Sequence, residues 1–300
     1  MSLDSWISGT RGFIGKHLIK KLTNEGQKFS CVSKTGSNNI IGLNFSDNKS
    51  FTSAFKMYGV PNTFIHLGWG NVYDPHHKSH LNENLQDGKN IINNMYDNGV
   101  RRIIHIGSSS EYGERTGPLD EKFIESKGKI NNYVKGKISL AKYGLEMAHK
   151  YNAVFIHVRL YYTYGSGQQH NSLINQLYKN SISNNIMELS PCEQFRDYIY
   201  VEDAVNGIYK ISNVNQSGIL NLGSGNTIQL KEFVKKFWHL LGMKANRLKF
   251  GSFDQPLLEQ KQPKAYADLT KLRKLTGWVP NMKIDDGIKL TIDQLRKINI

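Results

Sequence analysis

Long apolar runs and cysteines are scarce in this sequence of 300 residues. It has no stretch of about 18 uninterrupted apolar residues, the length of a membrane-spanning helix, so no membrane partner is expected. Residues 1–6 lack the basic segment and apolar stretch of a secretory signal, which favours a cytoplasmic protein. Its two cysteines, Cys31 and Cys192, have no C-x-x-C spacing, so neither a disulfide framework nor a metal site is expected.

Basic residues are in excess, but they are not clustered. The chain has 39 Lys and Arg against 25 Asp and Glu, a net charge of +14. Phosphate backbones attract basic surfaces, yet no nucleic-acid-binding motif is present, so no nucleic-acid partner is expected. The same positive field would suit a small substrate that carries a diphosphate, although a solvated lysine-rich surface needs no function.

Short apolar runs alternate with segments of helical period in the first half of the chain. This alternation predicts an α/β fold of Rossmann type, with a doubly wound parallel sheet and a smaller C-terminal substrate-binding part. Residues 1–165 would form the dinucleotide-binding domain, residues 200–222 would return to it, and residues 166–300 would form mainly the substrate-binding domain. The predicted strands are 5–8, 29–33, 63–67, 103–107 and 154–160, and the predicted helices are 14–24 and 81–98.

A glycine-rich loop directly follows the first predicted strand. Its residues are Gly9, Thr10, Arg11, Gly12, Phe13, Ile14 and Gly15. Glycines at this spacing permit a tight turn, close approach of the backbone to a pyrophosphate, and packing of the helix on the strand. The following helix N-terminus attracts phosphate charge. The loop therefore predicts a dinucleotide site, although a glycine triplet alone can be an ordinary turn.

No acidic residue stands at the end of the second predicted strand, where a fold selective for NAD places one on the ribose. Ser33 and Lys34 occupy this position, and Arg11 lies in the glycine loop. One hydroxyl and two cations favour a ribose 2′-phosphate, so NADP is predicted as the cofactor, with NAD as the alternative. Lys34 and Arg11 could equally be solvated surface residues.

Tyr133 and Lys137 have the spacing that places two side chains one turn apart on a helix. A phenol with a pKa of about 10 becomes a useful acid or base when a nearby ammonium stabilises its anion. The spacing alone is common, but Ser108 follows an apolar strand at the edge where ligands bind in open α/β sheets. Its hydroxyl would hydrogen-bond the substrate oxygen beside Tyr133, although a serine cluster can also simply cap a helix.

Segments along nearly the whole chain resemble, in the same order, those of the extended short-chain dehydrogenase/reductases. This family includes nucleotide-sugar epimerases, dehydratases and reductases. The segments that carry the resemblance are the glycine loop, Asn84 and residues 66–69, 108–113, 133–137, 159–168, 196–203, 221–225, 267–268 and 277–280. The resemblance implies that Tyr133 is the acid or base and that Ser108 orients the reacting oxygen. Lys137 would tune Tyr133 and bind the nicotinamide ribose.

The resemblance also implies further contacts. Arg196 would bind the substrate diphosphate, and Ser109, Ser110 and Tyr162 would contact the substrate. Besides the glycine loop, Tyr133 and Lys137, the implied cofactor contacts are Ser33, Lys34, Asn44, Phe45, Leu67, Gly68, Trp69 and Asn84. Residues 81–98 and 133–149 match helices that pair in the family's dimers, so a homodimer is expected.

Departures from the family pattern help to separate the possible reactions. Its sugar dehydratases place Asp-Glu directly after the catalytic hydroxyl residue, where this chain has Ser109 and Ser110. Dehydration is therefore disfavoured, unless Glu111 shifts by one position. GDP-fucose synthases have a cysteine at the position of Ser110 that works with a histidine, and a serine is too weak an acid for that step. His170 is either the matching histidine or an ordinary loop residue.

Two departures concern the substrate contacts. Tyr162 replaces an asparagine of the family, and the arginine expected before the last Ala-Asp is missing, where Lys261 could substitute.

These comparisons favour NAD(P)H-dependent reduction of the C4 keto group of a nucleotide-diphosphate 4-keto-6-deoxy sugar, a step of surface polysaccharide biosynthesis. The trio Ser108, Tyr133 and Lys137 is present, while the auxiliary acids of dehydratases and 3,5-epimerising enzymes are not. The main alternative is a 4-epimerase with tightly bound NAD, which needs the same three residues. A sugar 4,6-dehydratase and a cofactor-binding protein without activity are further alternatives.

Overall fold

Parallel strands and the helices between them make up the first half of the protein. The computed structural model describes residues 4–37, 39–124, 126–183, 185–254 and 264–298. The helices of the described residues are α1 (Phe13–Asn24), α2 (Asn48–Tyr58), α3 (Glu83–Asp97), α4 (Asn132–Lys150), α5 (Leu173–Ile182), α6 (Val201–Ile211), α7 (Leu230–Leu240), α8 (Thr270–Thr276) and α9 (Ile284–Ile298).

Seven of the strands form one sheet, and the others form two-stranded pairs. The strands are β1 (Asp4–Ser8), β2 (Lys28–Ser33), β3 (Ile40–Gly42), β4 (Thr63–His66), β5 (Arg102–Ile106), β6 (Gly117–Leu119), β7 (Val154–Leu160), β8 (Tyr162–Tyr164), β9 (Met187–Leu189), β10 (Phe195–Arg196), β11 (Tyr198–Tyr200), β12 (Gly218–Leu222), β13 (Ile228–Gln229), β14 (Leu248–Phe250) and β15 (Ala265–Ala267).

The main sheet is entirely parallel, with the strand order β12-β7-β5-β4-β1-β2-β3. The order reverses at β1, which pairs with β2 on one side and with β4 on the other. In doubly wound folds ligands bind at this reversal, beyond the carboxyl ends of the strands. The predicted Rossmann-type fold is therefore confirmed, and it places the glycine loop at the expected binding edge.

Apolar cores cover both faces of the sheet, which explains why its strands are almost continuously apolar. Against α1 and α6 lies a core that includes Ile7, Ile104 and Val158. Against α2, α3 and α4 lies a second core that includes Phe64 and Phe155, both with no exposed surface. These two layers fix the carboxyl ends of β1, β4, β5 and β7 relative to one another.

The C-terminal region has a separate core beyond the carboxyl edge of the sheet. Tyr164, Phe233, Trp238 and Ile288 are among its buried members. The strand pairs β8 with β11, β9 with β14 and β10 with β13 contribute residues to it, whereas the pair of β6 and β15 contributes to a smaller separate core. Within this half of the chain, β12 joins the main sheet and α6 packs on α1. The division into a cofactor part and a substrate part stays a prediction.

Three features bear on possible ligands and partners. No helix in the described ranges is long and apolar enough to cross a membrane. The same residues contain no group of three or more His, Cys, Asp or Glu side chains arranged to hold a metal ion. Cys31 is half-buried and Cys192 is buried, and neither forms a disulfide.

Candidate active site

The glycine loop connects β1 to α1, and two of its glycines are required by geometry. Gly9 has a φ of +73°, and a Cβ atom there would lie 2.6 Å from the backbone nitrogen of Gly68. A Cβ atom on Gly15 would lie 2.3 Å from the carbonyl oxygen of Gly9. Gly12 precedes the first residue of α1 and has no side chain to cap the helix, so its first N–H groups point towards any bound anion.

A cavity of about 330 Å³ opens next to this loop, at the ends of β1, β2 and β4. We call it the nucleotide cavity. Seven of the predicted cofactor residues line it, namely Gly9, Ser33, Lys34, Phe45, Gly68, Trp69 and Asn84. The structure therefore brings together residues from five separate segments that were selected from the sequence.

An acidic residue that was not predicted also lines the nucleotide cavity. Asp87, on α3, lies 2.5 Å from the Lys34 ammonium. The Lys34 ammonium is also 5.9 Å from the ring centroid of Phe45. Lys34 is thus held by a carboxylate and an aromatic face, and it is not a free cation. Arg11 is exposed in the glycine loop.

The remaining predicted cofactor residues of the loops mainly hold the backbone in place. Thr10 is buried, and Phe13, Ile14 and Leu67 pack against the apolar cores. Asn44 folds its own turn, because its Oδ1 atom accepts the Ser46 N–H at 3.1 Å. Asn84 fixes the loop after β4 through hydrogen bonds with both the N–H and the carbonyl of Gly70.

Ser108, Tyr133 and Lys137 meet at the carboxyl end of β5. The Ser108 hydroxyl lies beside the Tyr133 hydroxyl, close enough to lower the pKa of Tyr133. Lys137 is 3% exposed, and its ammonium donates to the carbonyl of Ile106 at 2.6 Å. The ammonium also lies 4.0 Å from the ring centroid of Trp69. The structure thus places the three predicted catalytic residues in one constellation.

Burial dominates the acidity of these groups. It raises the pKa of Tyr133, and the charge of Glu111 raises it further, whereas the neighbouring Ser108 hydroxyl lowers it. Burial also lowers the pKa of Lys137 to about 7, while Glu111 acts in the opposite direction. Tyr133 therefore keeps its proton at neutral pH, and Lys137 has a pKa close to neutrality.

The turn that follows Ser108 explains what its neighbours do. Ser108 caps a short 3-10 helix of residues 109–112, and the Glu111 carboxylate accepts the Ser108 N–H at 2.8 Å. Glu111 is fully buried and also bound to His157 and Arg159. It therefore does not shift towards the substrate, and the side chains of Ser109 and Ser110 remain as the polar groups next to Ser108.

The sequence did not indicate His80, whose ring lies beside Tyr133. Its ring packs edge-on against Tyr133, with 5.4 Å between the centroids. The Trp69 indole N–H donates to His80 Nδ1 at 3.0 Å, and His80 Nε2 bonds the carbonyl of Asp74. His80 therefore fixes Trp69, which in turn faces Lys137. Nothing in the local sequence around His80 predicts this contact.

A second cavity, of about 420 Å³, lies on the C-terminal side of the site. We call it the aromatic cavity. Tyr162 and Arg196 both line it, and the guanidinium lies 4.1 Å from the Tyr162 ring centroid. Tyr198 and Phe233, also in its wall, stack with 4.3 Å between centroids. Tyr162 is also one of the groups whose charge raises the pKa of Tyr133, so this wall of the cavity is on the side of Tyr133.

Two other candidates from the sequence are not part of these cavities. His170 is exposed and hydrogen-bonded to Lys179. It does not line the aromatic cavity, which agrees with an ordinary loop histidine. Lys261 lies outside the described residues.

Comparisons with known proteins agree with this architecture. A relative in Brachyspira hyodysenteriae, ADP-L-glycero-D-manno-heptose-6-epimerase, is 26% identical over 97% of this chain and 97% of its own length. The dTDP-4-dehydro-6-deoxyglucose reductase of Escherichia coli is 27% identical over 71% of this chain and 67% of its own length. The solved structure of MoeE5 with UDP-glucuronic acid and NAD superposes with a TM-score of 0.82 at 23% identity, covering 98% of this chain and 99% of that one.

A family model extends the agreement from the fold to the sequence. It matches residues 6–223, which include the glycine loop, the catalytic trio and Arg196. This chain belongs to the NAD dependent epimerase/dehydratase family.

Proposed function

We propose that the protein is an oxidoreductase that uses NAD(P)H to reduce the C4 keto group of a nucleotide-diphosphate 4-keto-6-deoxy sugar. One observation carries the proposal: Ser108, Tyr133 and Lys137 meet, and the neighbouring Glu111 is buried and bound elsewhere. Reduction requires one proton donor beside the carbonyl. Dehydration and C5 epimerisation require a second acid or base, for which the turn after Ser108 offers only Ser109 and Ser110.

The glycine loop and the nucleotide cavity suit a dinucleotide. A side chain at Gly9 or Gly15 would fill the space where the backbone approaches, and the uncapped start of α1 suits a pyrophosphate. Such a cofactor supplies hydride when it is bound. Lys137 would hydrogen-bond its nicotinamide ribose, and Asn84 would keep the loop after β4 in place beside it.

The chain's own part in the reaction is the transfer of one proton. Ser108 would hydrogen-bond the C4 oxygen and hold it beside Tyr133. The Tyr133 hydroxyl would donate its proton to this oxygen, so that a C–OH group forms and a phenolate remains. The Lys137 ammonium would stabilise that phenolate, because an opposite charge nearby favours the ionised form.

The aromatic cavity would receive the nucleotide-diphosphate part of the substrate. Its guanidinium, Arg196, matches two phosphate oxygens in geometry. Tyr162 supports Arg196 from one side and adjoins Tyr133, so it lies where the sugar and the diphosphate meet. We therefore assign the substrate to residues 166–300 together with Tyr162, and the cofactor mainly to residues 1–165.

For the cofactor, we propose NADP, with NAD as the alternative. The absence of an acid at the end of β2 and the presence of Arg11 and Ser33 support NADP. Asp87 acts against it, because this carboxylate already binds Lys34 and would repel a 2′-phosphate. Arg11 would then be the main contact of the phosphate.

A 4-epimerase with tightly bound NAD is the second candidate. It needs no group beyond the same trio, and the relative in Brachyspira hyodysenteriae is named an epimerase. To distinguish the two, the purified protein is denatured and its extract is analysed for dinucleotide, and NADPH consumption is measured with a 4-keto sugar. A reductase consumes NADPH in each turnover. Stoichiometric NAD in the extract without NADPH consumption would establish the epimerase.

A homodimer formed by α3 and α4 is also proposed. These two helices lie side by side on one face of the sheet. Light scattering on the purified protein would show twice the mass of one chain if the proposal is correct, and the mass of one chain if it is wrong.

A further inference from the structure

Three buried histidines lie side by side across the main sheet, on the face that α3 and α4 cover. His66 on β4 pairs in register with His105 on β5, which pairs with His157 on β7. Their exposures are 6%, 1% and 0%. The ring centroids are 5.4 Å apart for the first pair and 5.1 Å apart for the second. We call these residues the histidine row.

One end of the histidine row is fixed by the carboxylate of Glu111. Its two oxygens lie 3.0 and 2.8 Å from His157 Nε2, and it also accepts hydrogen bonds from Arg159 and the Ser108 N–H. These partners lower the pKa of Glu111 to about 2 despite its burial, so it is ionised. A Cβ atom on Gly107 would lie 2.3 Å from His157 Nε2, so a glycine is needed at this position.

The ionised end determines where the protons of the next two rings lie. A carboxylate only accepts, so His157 must carry its proton on Nε2. We take His157 to hold this proton alone, so that its Nδ1 atom is an acceptor to which His105 Nδ1 would donate across 3.0 Å. This leaves His105 Nε2 as a buried acceptor, and it has no hydrogen-bond partner among the described residues.

The resulting chain of hydrogen bonds is polarised in one direction. Each N–H points towards Glu111 and each free lone pair points away from it, so the negative potential of the carboxylate is passed along the two rings. Lys137 is close to the free end of this chain. Its ammonium donates to the carbonyl of Ile106, the residue after His105. Burial is the main cause of the lowered pKa of His105, and the charge of Lys137 lowers this pKa further. His105 is therefore neutral while Lys137 is charged.

We propose that His105 and His157 are positioning residues that carry the negative potential of Glu111 across the sheet and hold Lys137 as an ammonium in its buried site. The catalytic relevance of this arrangement rests on the proposed function, whereas the charge on Lys137 does not. The two rings line neither the nucleotide cavity nor the aromatic cavity. His105 also packs against Trp69, with 5.9 Å between the ring centroids, and Trp69 in turn faces Lys137.

Several other groups also face Lys137 and must be separated from the effect of the row. The Lys137 ammonium lies 4.0 Å from the ring centroid of Trp69 and 5.8 Å from that of Tyr133, which is on the same helix. His66 on β4 is close enough for the charge of Lys137 to lower its pKa. Burial lowers the pKa of His66 to about 3, so this ring adds no charge at neutral pH. Glu111 is the negative charge that raises the pKa of Lys137.

The first test needs no substitution. Long-range ¹H–¹⁵N correlation NMR of the cofactor-free, full-length protein at neutral pH distinguishes protonated from unprotonated imidazole nitrogens. We expect His105 to carry its proton on Nδ1 and His157 to carry its proton on Nε2. A His105 ring protonated on Nε2, or one that titrates near neutral pH, would overturn the proposal.

The second test compares two substitutions of one residue. In His105→Gln, the amide N–H can donate to His157 while its oxygen remains a free acceptor, whereas His105→Phe removes both functions. The titration of Lys137 is followed by NMR of ¹³C-labelled lysine, with Lys137→Met for assignment. We expect the apparent pKa of Lys137 to fall by about one unit in His105→Phe and to return close to the wild-type value in His105→Gln.

Equal Lys137 titrations in the wild type and both folded variants would contradict the proposal, as would equal shifts in both. If His105→Phe does not fold, the tautomers of His105 and His157 measured in the wild type still support or overturn the proposal. The pH profile of kcat/KM should move with the NMR titration. Because the NMR readout uses protein without cofactor or substrate, it remains valid even if the enzyme catalyses a reaction other than the proposed reduction.

Discussion

The proposed cofactor side and the proposed substrate side of the site are held in place by different kinds of contact. On the cofactor side, long parallel strands with apolar cores on both faces position the glycine loop and the catalytic trio. On the substrate side, strands of two or three residues are tied together by a few buried polar groups. Asp197, 1% exposed, accepts hydrogen bonds from the backbone of Ser224, Gly225 and Ala267.

This difference has a consequence for mutation. A packed parallel sheet spreads its stability over many contacts, so polar changes at the catalytic edge should alter chemistry and leave the fold intact. The substrate side has an apolar core of its own, but single buried carboxylates join its short segments to one another, so one polar change there should loosen the segments that it joins.

The largest effect is expected for Tyr133→Phe. Loss of the proton donor should reduce kcat by about 10³-fold, within the range of general acid catalysis, while cofactor affinity is retained. The matched control is Tyr73→Phe, because Tyr73 is 60% exposed and lies in neither cavity. NADPH oxidation and NADPH fluorescence titration measure the two quantities. Unchanged turnover in Tyr133→Phe would refute the catalytic assignment.

Asp197→Ala should produce the next largest effect, now on stability. Three backbone N–H groups would lose a buried acceptor, which should cost about 3 kcal/mol of unfolding free energy in urea titrations. Hydrogen exchange should increase at residues 223–225 and 265–267 and remain slow in β5 and β7. In the control Asp293→Ala, an exposed helical position, the change should stay below about 0.5 kcal/mol. Uniformly faster exchange across the sheet would contradict the contrast between the two sides.

Glu111 should make the cofactor side sensitive to acid. Its pKa falls from its usual 4.5 to about 2 in the folded protein, so it stabilises the fold above pH 4.5 and this contribution is lost as the pH falls towards 2. Urea titrations of the wild type and Glu111→Gln, made between pH 6 and pH 2, should show a difference in unfolding free energy that shrinks by about 2 kcal/mol. A difference that is independent of pH would show that Glu111 is not ionised.

The smallest effects concern the choice of cofactor. Arg11→Ala should lower the ratio of NADPH to NADH affinity about 5-fold, as expected for the loss of one exposed ion pair. Asp87→Asn should raise the same ratio about 5-fold, because the repulsion of a 2′-phosphate is removed and Lys34 is released. Fluorescence titration with both cofactors measures the ratios. If neither substitution changes the ratio of NADPH to NADH affinity, the 2′-phosphate assignment is wrong.

The sequence predicts the cofactor side of the fold well, because its signals are local. The expected strand at residues 154–160 matches β7 residue for residue, and the expected helix at 14–24 differs from α1 by one residue. On the substrate side, β10 and β13 contain two residues each and pair across more than thirty positions of the chain. Such pairs have no periodicity of their own, and they form only because the surrounding core brings them together.

The residues of the site divide in the same way, into those that local sequence motifs indicate and those that depend on packing. The glycine loop and the catalytic trio are visible in the sequence as motifs. The pairing of Lys34 with Asp87 is not, because it depends on how α3 packs against the end of β2. The histidine row left a signal, since one histidine interrupts each of three apolar strands, but their alignment requires the strand order β4-β5-β7.

The most direct measurement offers the purified protein a panel of nucleotide-diphosphate 4-keto-6-deoxy sugars with NADPH and, in parallel, NADH. Loss of reduced cofactor is followed by absorbance, and the configuration at C4 of the product is determined by NMR. We expect stoichiometric oxidation of the cofactor and one C4 alcohol from at least one sugar. Conversion of a nucleotide sugar without any consumption of added cofactor would contradict the proposed reduction.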